Sequence, residues 1–272
     1  MIERQDHGPV VKFKMARSLP GPITYYTSCY WVDGLLVDTG CAHCGREFQQ
    51  ALTGLRIDQV VNTHAHEDHF GNNGALQRAG AAVSAHHLAL PFLADPASLH
   101  LHPYRHLFWG TPRPSMAQAL GDTVRTGRYH FQVLETPGHS PDHVCLYEPD
   151  EGWLFTGDAY VGGRDRALRA EFDIYAIIES LKLLASLPCS RLFPASGSVV
   201  ENPAEALATK ITYLEETGEK VRSLRARGRS ERQIRQELFG PEMLIAYVTL
   251  GNFTGLHLVR SFLGRSHPGG LP

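Results

Sequence analysis

Residues 62–69 read Asn62-Thr63-His64-Ala65-His66-Glu67-Asp68-His69, directly after the strand-like run 57–61. Three imidazoles and two carboxylates fall within six positions of that stretch. A strand ending in such a cluster sets nitrogen and oxygen donors on a loop at a sheet edge, donors that borderline divalent cations such as zinc accept. In an extended segment residues i and i+2 share a face, so His64 and His66 can grip one ion together. Asp68 and His69, past a bend, could then point to a second. A helical pair of histidines four apart is excluded, because His64 and His66 are two apart.

The remaining donors follow in order. Thr136-Pro137-Gly138-His139-Ser140-Pro141-Asp142-His143 succeeds the alternating run 129–134, and Thr156-Gly157-Asp158-Ala159 succeeds the apolar run 153–155. Each sets one donor, His139 and then Asp158, on a turn just after a strand, with glycine permitting tight backbone geometry. Taken together, His-x-His-x-Asp-His, a Gly-His turn and a Gly-Asp turn resemble the signature of the metallo-β-lactamase superfamily, from about residue 20 to about residue 200. The resemblance implies an α+β fold, a four-layer αβ/βα sandwich with the metal site on one edge. It also implies that His64, His66 and His139 hold one ion, that Asp68 and His69 hold a second, and that Asp158 bridges them. The implied cofactor is one or two zinc ions, with iron or manganese as alternatives.

One expected piece is missing. Members of the glyoxalase II type end the site with a Pro-Gly-His-Gly turn, whereas the stretch after the run 190–193 reads Pro194-Ala195-Ser196-Gly197-Ser198. Ser196 falls where the last histidine should be, and a neutral hydroxyl is a poor zinc ligand beside imidazole. Three outcomes remain: a weakened second site, a single-metal centre, or a replacement from His100, His102, His106 or His257.

The 272 residues fit one large domain or a domain with an extension. Hydrophobic content of 43%, charged content of 20% and a net charge of -2 suit a soluble protein and give no global pointer to nucleic acid or an anionic membrane. No apolar segment is of membrane-spanning length, and residues 1–7 hold no apolar core of signal-peptide length. Five cysteines, an odd number, fit a reducing compartment, so a cytoplasmic location is expected. Cys41-Ala42-His43-Cys44 lacks the second cysteine pair of a structural zinc site and reads as loop, with redox sensitivity or substrate contact as the alternative.

The spacing predicts strands at 10–13, 25–32 and 35–37, with a hairpin turn at Asp33-Gly34, and a helix over 42–55. A helix over 71–79 follows the histidine cluster, its start offering backbone donors to an anion. Residues 88–120 carry Pro91, Pro96, Pro103, Pro112 and Pro114 with many aromatics and histidines, which reads as a substrate wall or a self-packed loop. Residues 1–203 are expected to form the catalytic domain and 204–272 a helical C-terminal extension packed on it. Six arginines between 222 and 235 raise a nucleic-acid contact, but interspersed glutamates and the absence of stacking aromatics favour a solvated face or an oligomer contact such as a homodimer.

The expected activity is that of a metal-dependent hydrolase acting on an ester, thioester, lactone or amide carbonyl of a small molecule through a metal-activated water. Asp68 would orient the water and carry a proton, Tyr160 would aim a phenol at the oxyanion, and Arg164 or Arg166 would hold a substrate anion. The rivals are a mononuclear iron enzyme like the persulfide dioxygenases and a phosphodiesterase or nuclease, which would want a strong two-metal clamp.

Overall fold

The computed structural model describes residues 1–17 and 25–264; residues 20–24, at the start of the resemblance, and 265–272, at the end of the extension, lie outside them. Two sheets stand back to back. The first runs in the order β1 (Ile2–His7), β2 (Val10–Met15), β3 (Thr27–Val32), β4 (Leu35–Val37), β5 (Gln59–Val61), β6 (Ala82–Ala85) and β7 (Gln118–Ala119). Its first four strands are antiparallel and β4 to β7 parallel. The second holds β8 (Thr123–Arg125), β9 (His130–Glu135), β10 (Val144–Glu148) and β11 (Trp153–Gly157), all antiparallel. After β12 (Leu168–Arg169), which stands outside this sheet, β13 (Arg191–Pro194) returns parallel to β11.

Side-chain alternation along these strands builds the layers. Leu35 and Val37 point between the sheets, where they meet Phe131, Leu146, Phe155 and Phe193, while Leu36 points outward. In the second sheet Leu154 and Leu192 point outward and Phe155 and Phe193 inward. A period of two in the backbone thus serves two cores at once, which is why these strands read as near-continuous apolar runs. On the outer face of the first sheet lie α1 (Gly45–Ala51) and α2 (Asn73–Arg78), bringing Phe48 and Leu76 against Phe13 and Val60. The predicted hairpin is present, with Asp33 at φ 46° and Gly34 at φ 87°, the left-handed pair that a two-residue turn of this twist requires.

Residues 88–120 hold more regular structure than their prolines predict. Both α3 (Leu90–Ala94) and α4 (Pro103–Phe108) carry a proline in the first turn, where its missing N–H is no loss, so proline starts these helices instead of breaking them. Leu93, Tyr104, Phe108 and Trp109 join the first outer core.

The outer face of the second sheet is covered by α5 (Ile174–Ala185) and by the C-terminal helices α6 (Pro203–Ala226), α7 (Glu231–Phe239), α8 (Leu244–Val248) and α9 (Gly255–Phe262). Leu207, Leu214, Val221, Ile234 and Phe262 share one cluster with Ile174, Leu181 and Leu192. Ser230 caps α7 in a reciprocal box with Gln233. A short strand β14 (Phe253–Thr254) pairs with β12 and ties the C-terminal segment to the turn after Asp158. Four of the clustered arginines find partners within the chain: Arg222 on Tyr175, Arg225 on the Arg229 carbonyl, Arg229 near Glu237 and Arg235 near Glu242. Among the described residues no helix is long and apolar enough to cross a membrane.

Candidate metal centre

The histidine loop leaves β5 and is pinned at once. Asp38, at φ 60°, accepts the Thr63 N–H at 2.8 Å on Oδ1 and the Thr63 hydroxyl at 2.9 Å on Oδ2. The same Oδ2 lies 2.8 Å from His69 Nδ1, which turns His69 Nε2 toward the other carboxylates. Asp142 Oδ2 accepts the Ala65 N–H at 2.7 Å. Glu67, buried between the two halves of the motif, is gripped through two hydrogen bonds by Arg105 of α4, Nε to Oε1 at 2.6 Å and Nη2 to Oε2.

Three ring nitrogens converge on this loop. His64 Nε2 lies 2.8 Å, and His139 Nε2 2.9 Å, from His66 Nδ1. Asp158 Oδ2 stands 3.3 Å from His139 Nε2, and the four residues offer donor atoms all within 4.8 Å of one another. His69 and Asp68 stand beside this group: His69 Nε2 is 3.6 Å from Asp158 Oδ2 and 3.7 Å from Asp68 Oδ2. Two turn glycines make the approach possible. A Cβ on Gly138 would lie 2.4 Å from the Ile177 nitrogen, and one on Gly157 2.7 Å from Thr63 Oγ1.

His143 fixes the last donor. Its Nε2 accepts the Asp158 backbone N–H at 3.1 Å, so Nδ1 carries the proton and donates to Thr136 Oγ1 at 2.8 Å. Burial brings its pKa down to about 3, consistent with a neutral positioning group.

Electrostatics divide the cluster in two. Burial, reinforced by neighbouring imidazoles, holds His64 well below the ordinary histidine range; burial and Arg169 do the same to His66, and burial overrides Asp158 at His139. Three neutral rings therefore present lone pairs at neutral pH. His69 goes the other way: burial would lower it, but Asp38, Asp68 and Asp158 outweigh burial and raise it well above that range. Burial pushes the Asp68 carboxyl up to about 6, with His69 opposing. At Asp158 burial is outweighed by His69 and His139, which hold the carboxyl below its usual range. The set fits a divalent ion. Three neutral imidazoles and a carboxylate match zinc chemistry, and the buried His69 Nε2 has no hydrogen-bond partner among the described residues.

Above the cluster opens a cavity of about 510 Å³. His66, His139, Asp68 and Asp158 line it from the metal side; Tyr25, Tyr104 and Trp109 form one wall, Leu168 and Phe172 another, and Met243, Ile245 and Phe253 of the C-terminal segment a third. Ser196 lines it too, its hydroxyl buried and unpartnered among the described residues. None of His100, His102, His106 and His257 joins the donor group of four. Tyr160 lines a separate depression with Arg164 and Glu201, not this cavity. Arg164 stacks over Tyr213, and Arg166 is spent on the Phe239 carbonyl. The arginine on the cavity wall is Arg169, three residues beyond the arginines singled out from sequence. Cys41 and Cys44 are free thiols buried in the first outer core. The expected anion site at the start of α2 is internally used, since the Asn72 N–H goes to Thr39 Oγ1 and the Asn73 N–H to the Phe70 carbonyl.

Comparison with known proteins places this geometry. The profile of the metallo-beta-lactamase superfamily matches residues 23–196. A hydroxyacylglutathione hydrolase of Nitrosococcus oceani is 33% identical over 162 residues, 55% of this chain and 52% of that protein. The thioesterase pkgB of Emericella nidulans is 31% identical over 159 residues, 58% of this chain and 39% of that protein. The chain thus spans about half the length, or less, of these curated relatives. A beta-lactamase domain protein from Burkholderia ambifaria superposes with a TM-score of 0.73 over 96% of this chain and 88% of that one, at 20% identity, a likeness of fold alone.

Proposed function

The chain belongs to the metallo-beta-lactamase superfamily, and on that premise we propose that it is a metal-dependent hydrolase of an ester, thioester, lactone or amide carbonyl. The observation that carries this reading is the convergence of the His64, His66 and His139 ring nitrogens with Asp158 beside a cavity walled by apolar and aromatic side chains. The relative named as a thioesterase supports the thioester member of that set. His64, His66, His139 and Asp158 would hold the ion, with zinc favoured by the donor set and iron or manganese as alternatives. When bound, such an ion polarises the carbonyl and lowers the pKa of a water toward neutrality.

The chain's own residues do the rest. Asp68 orients the attacking water, takes its proton on a carboxylate oxygen and returns it to the leaving group. Asp38 holds the His69 ring in one orientation and His143 keeps the Asp158 turn in place. The aromatic wall excludes bulk water and receives an acyl chain. Ser196, which lines the same cavity as Asp68, supplies only a hydroxyl, so the second position would bind weakly and the first would carry the activity. Residues 1–203 are assigned as the catalytic part and 204–272 as an extension that walls the cavity.

The test is elemental analysis of protein purified without added metal, followed by ester, thioester, lactone and phosphodiester panels. Carbonyl hydrolysis abolished by a chelator and restored by zinc is the expected result. One iron per chain with oxygen consumption, or cleavage confined to phosphodiesters, overturns the proposal.

A further inference from the structure

Arg169 is the unusual residue of the cavity. It is 8% exposed, lines the cavity, and its Nη1 has no hydrogen-bond partner among the described residues. Its nearest acid, Glu171, stands at 3.9 Å, outside hydrogen-bond reach. A buried guanidinium with an open donor is costly to keep unless something pairs with it. The other cation on the cavity wall is already satisfied: Lys210 Nζ lies 2.7 Å from Asp165 and 3.2 Å from each of the Gly162 and Gly163 carbonyls, which uses its three protons.

The position of Arg169 relative to the donors is set by Phe172. The guanidinium lies 5.5 Å from the Phe172 ring centre, and that ring lies 4.3 Å from His139 and stacks 6.2 Å from His66. Cation and metal-site imidazoles therefore flank one ring. Pairing of β12 with β14 sets Arg169 opposite Phe253, so the C-terminal segment holds the arginine in place.

We propose that Arg169 is a specificity residue that binds a carboxylate carried by the acyl part of the substrate, a short spacer away from the scissile carbonyl. The inference rests on the hydrolase reading above. The substrate class is a half-ester or half-thioester of a short dicarboxylic acid: water adds at the carbonyl, the C–O or C–S bond breaks, and the diacid leaves with an alcohol or thiol. A single carboxylate suits the site better than a phosphate dianion, because Glu171, Asp68 and Asp158 already contribute negative charge around one open guanidinium.

The experiment compares mono(4-nitrophenyl) adipate with 4-nitrophenyl hexanoate, which have equal acyl length, in wild type, Arg169→Gln and Arg169→Lys. Calorimetric binding of adipamate and of hexanamide to the metal-loaded protein runs alongside. Wild type should favour the charged ester, and Arg169→Gln should lower kcat/KM for it by about ten- to hundred-fold while leaving the neutral ester within about threefold. Arg169→Lys should fall between. A structural role for Arg169 would lower both esters alike, and that result overturns the proposal. Should Arg169→Gln fail to fold, the wild-type ester ratio and the Arg169→Lys split still decide. Adipamate binding that depends on Arg169 without cleavage of either ester would sink the hydrolase reading and leave the anion site standing. Cleavage of both esters with no preference for charge would do the reverse.

Discussion

Replacing Arg105 with methionine should unfold more than the helix it comes from. Glu67 is fully buried and Arg105 is 4% exposed, so removing the cation leaves a carboxylate without water or counter-charge in the middle of the histidine motif. Breaking a buried pair from one side costs about 3–5 kcal/mol. At roughly 2–4 °C per kcal/mol for a chain somewhat smaller than this one, the melting temperature should drop by about 6–20 °C. Removing both charges in Glu67→Leu with Arg105→Met should restore most of that loss, because a buried ion pair replaced by apolar groups is often close to neutral. Urea unfolding of the two single variants and the double variant gives the coupling term directly. Chelator competition on the same proteins reads the second consequence. Glu67 sits between His66 and Asp68, so the single variant should bind the first ion about 10- to 100-fold more weakly. A single-variant cost below about 1 kcal/mol with full metal affinity would refute the reasoning. It would mean that the pair is solvated and that residues 88–120 do not hold the metal loop.

Ser196→His should raise the bound metal toward two equivalents; unchanged stoichiometry on elemental analysis would show that residue 196 does not limit the second position. Asp68→Asn should lower kcat by about 100-fold or more, the range of a lost general acid–base group, while the first ion stays bound. Turnover and metal content both intact would remove Asp68 from the mechanism. The metal-free protein should lose stability on acidification. His64, His66, His139 and His143 have folded pKa values below the ordinary 6.5, so below that pH the unfolded chain takes up protons first. Their contribution is complete above about 6.5 and drains away as pH falls beneath it. His69, raised by three carboxylates, and Asp68, pushed up to about 6, act oppositely, two groups against four. A melting temperature that is flat or rising from pH 7 down to 5 contradicts the burial of these rings.

The donors were legible because they are local. His64, His66, His139 and Asp158 each follow a strand within a few residues, and a strand end fixes where the next side chains lie. The inter-sheet and outer cores were legible as apolar runs, since strands buried on both faces keep few polar positions. Strand β1 was not, because Ile2–His7 is polar and mostly exposed and becomes a strand only by pairing with β2. Strands β12 and β14 have two residues each, too few to leave a periodic trace. That omission is what hid Arg169: among Arg164, Arg166 and Arg169, the sequence offers no reason to choose until the Arg169 to Phe253 register is known. Arg105 was hidden likewise, since its partner Glu67 lies far off in the chain and no short-range pattern links them.

The distribution of these hidden residues has a chemical logic. The donor set comes from turns at strand ends within residues 23–196, the part matched by the family profile. Much of the surface a substrate would touch comes from outside those turns: Tyr104 and Trp109 from the 88–120 segment, and Met243, Ile245, Thr249 and Phe253 from beyond the profile's end. Both segments are also bolted to the centre, the first through Arg105 on Glu67 and the second through β14 on β12. A scaffold built this way can change its walls without touching its ligands, because the walls hang on side-chain and strand contacts that leave the imidazole nitrogens in place. On the proposed hydrolase reading, shared ligands would carry shared chemistry and the two attached segments would make the choice of substrate.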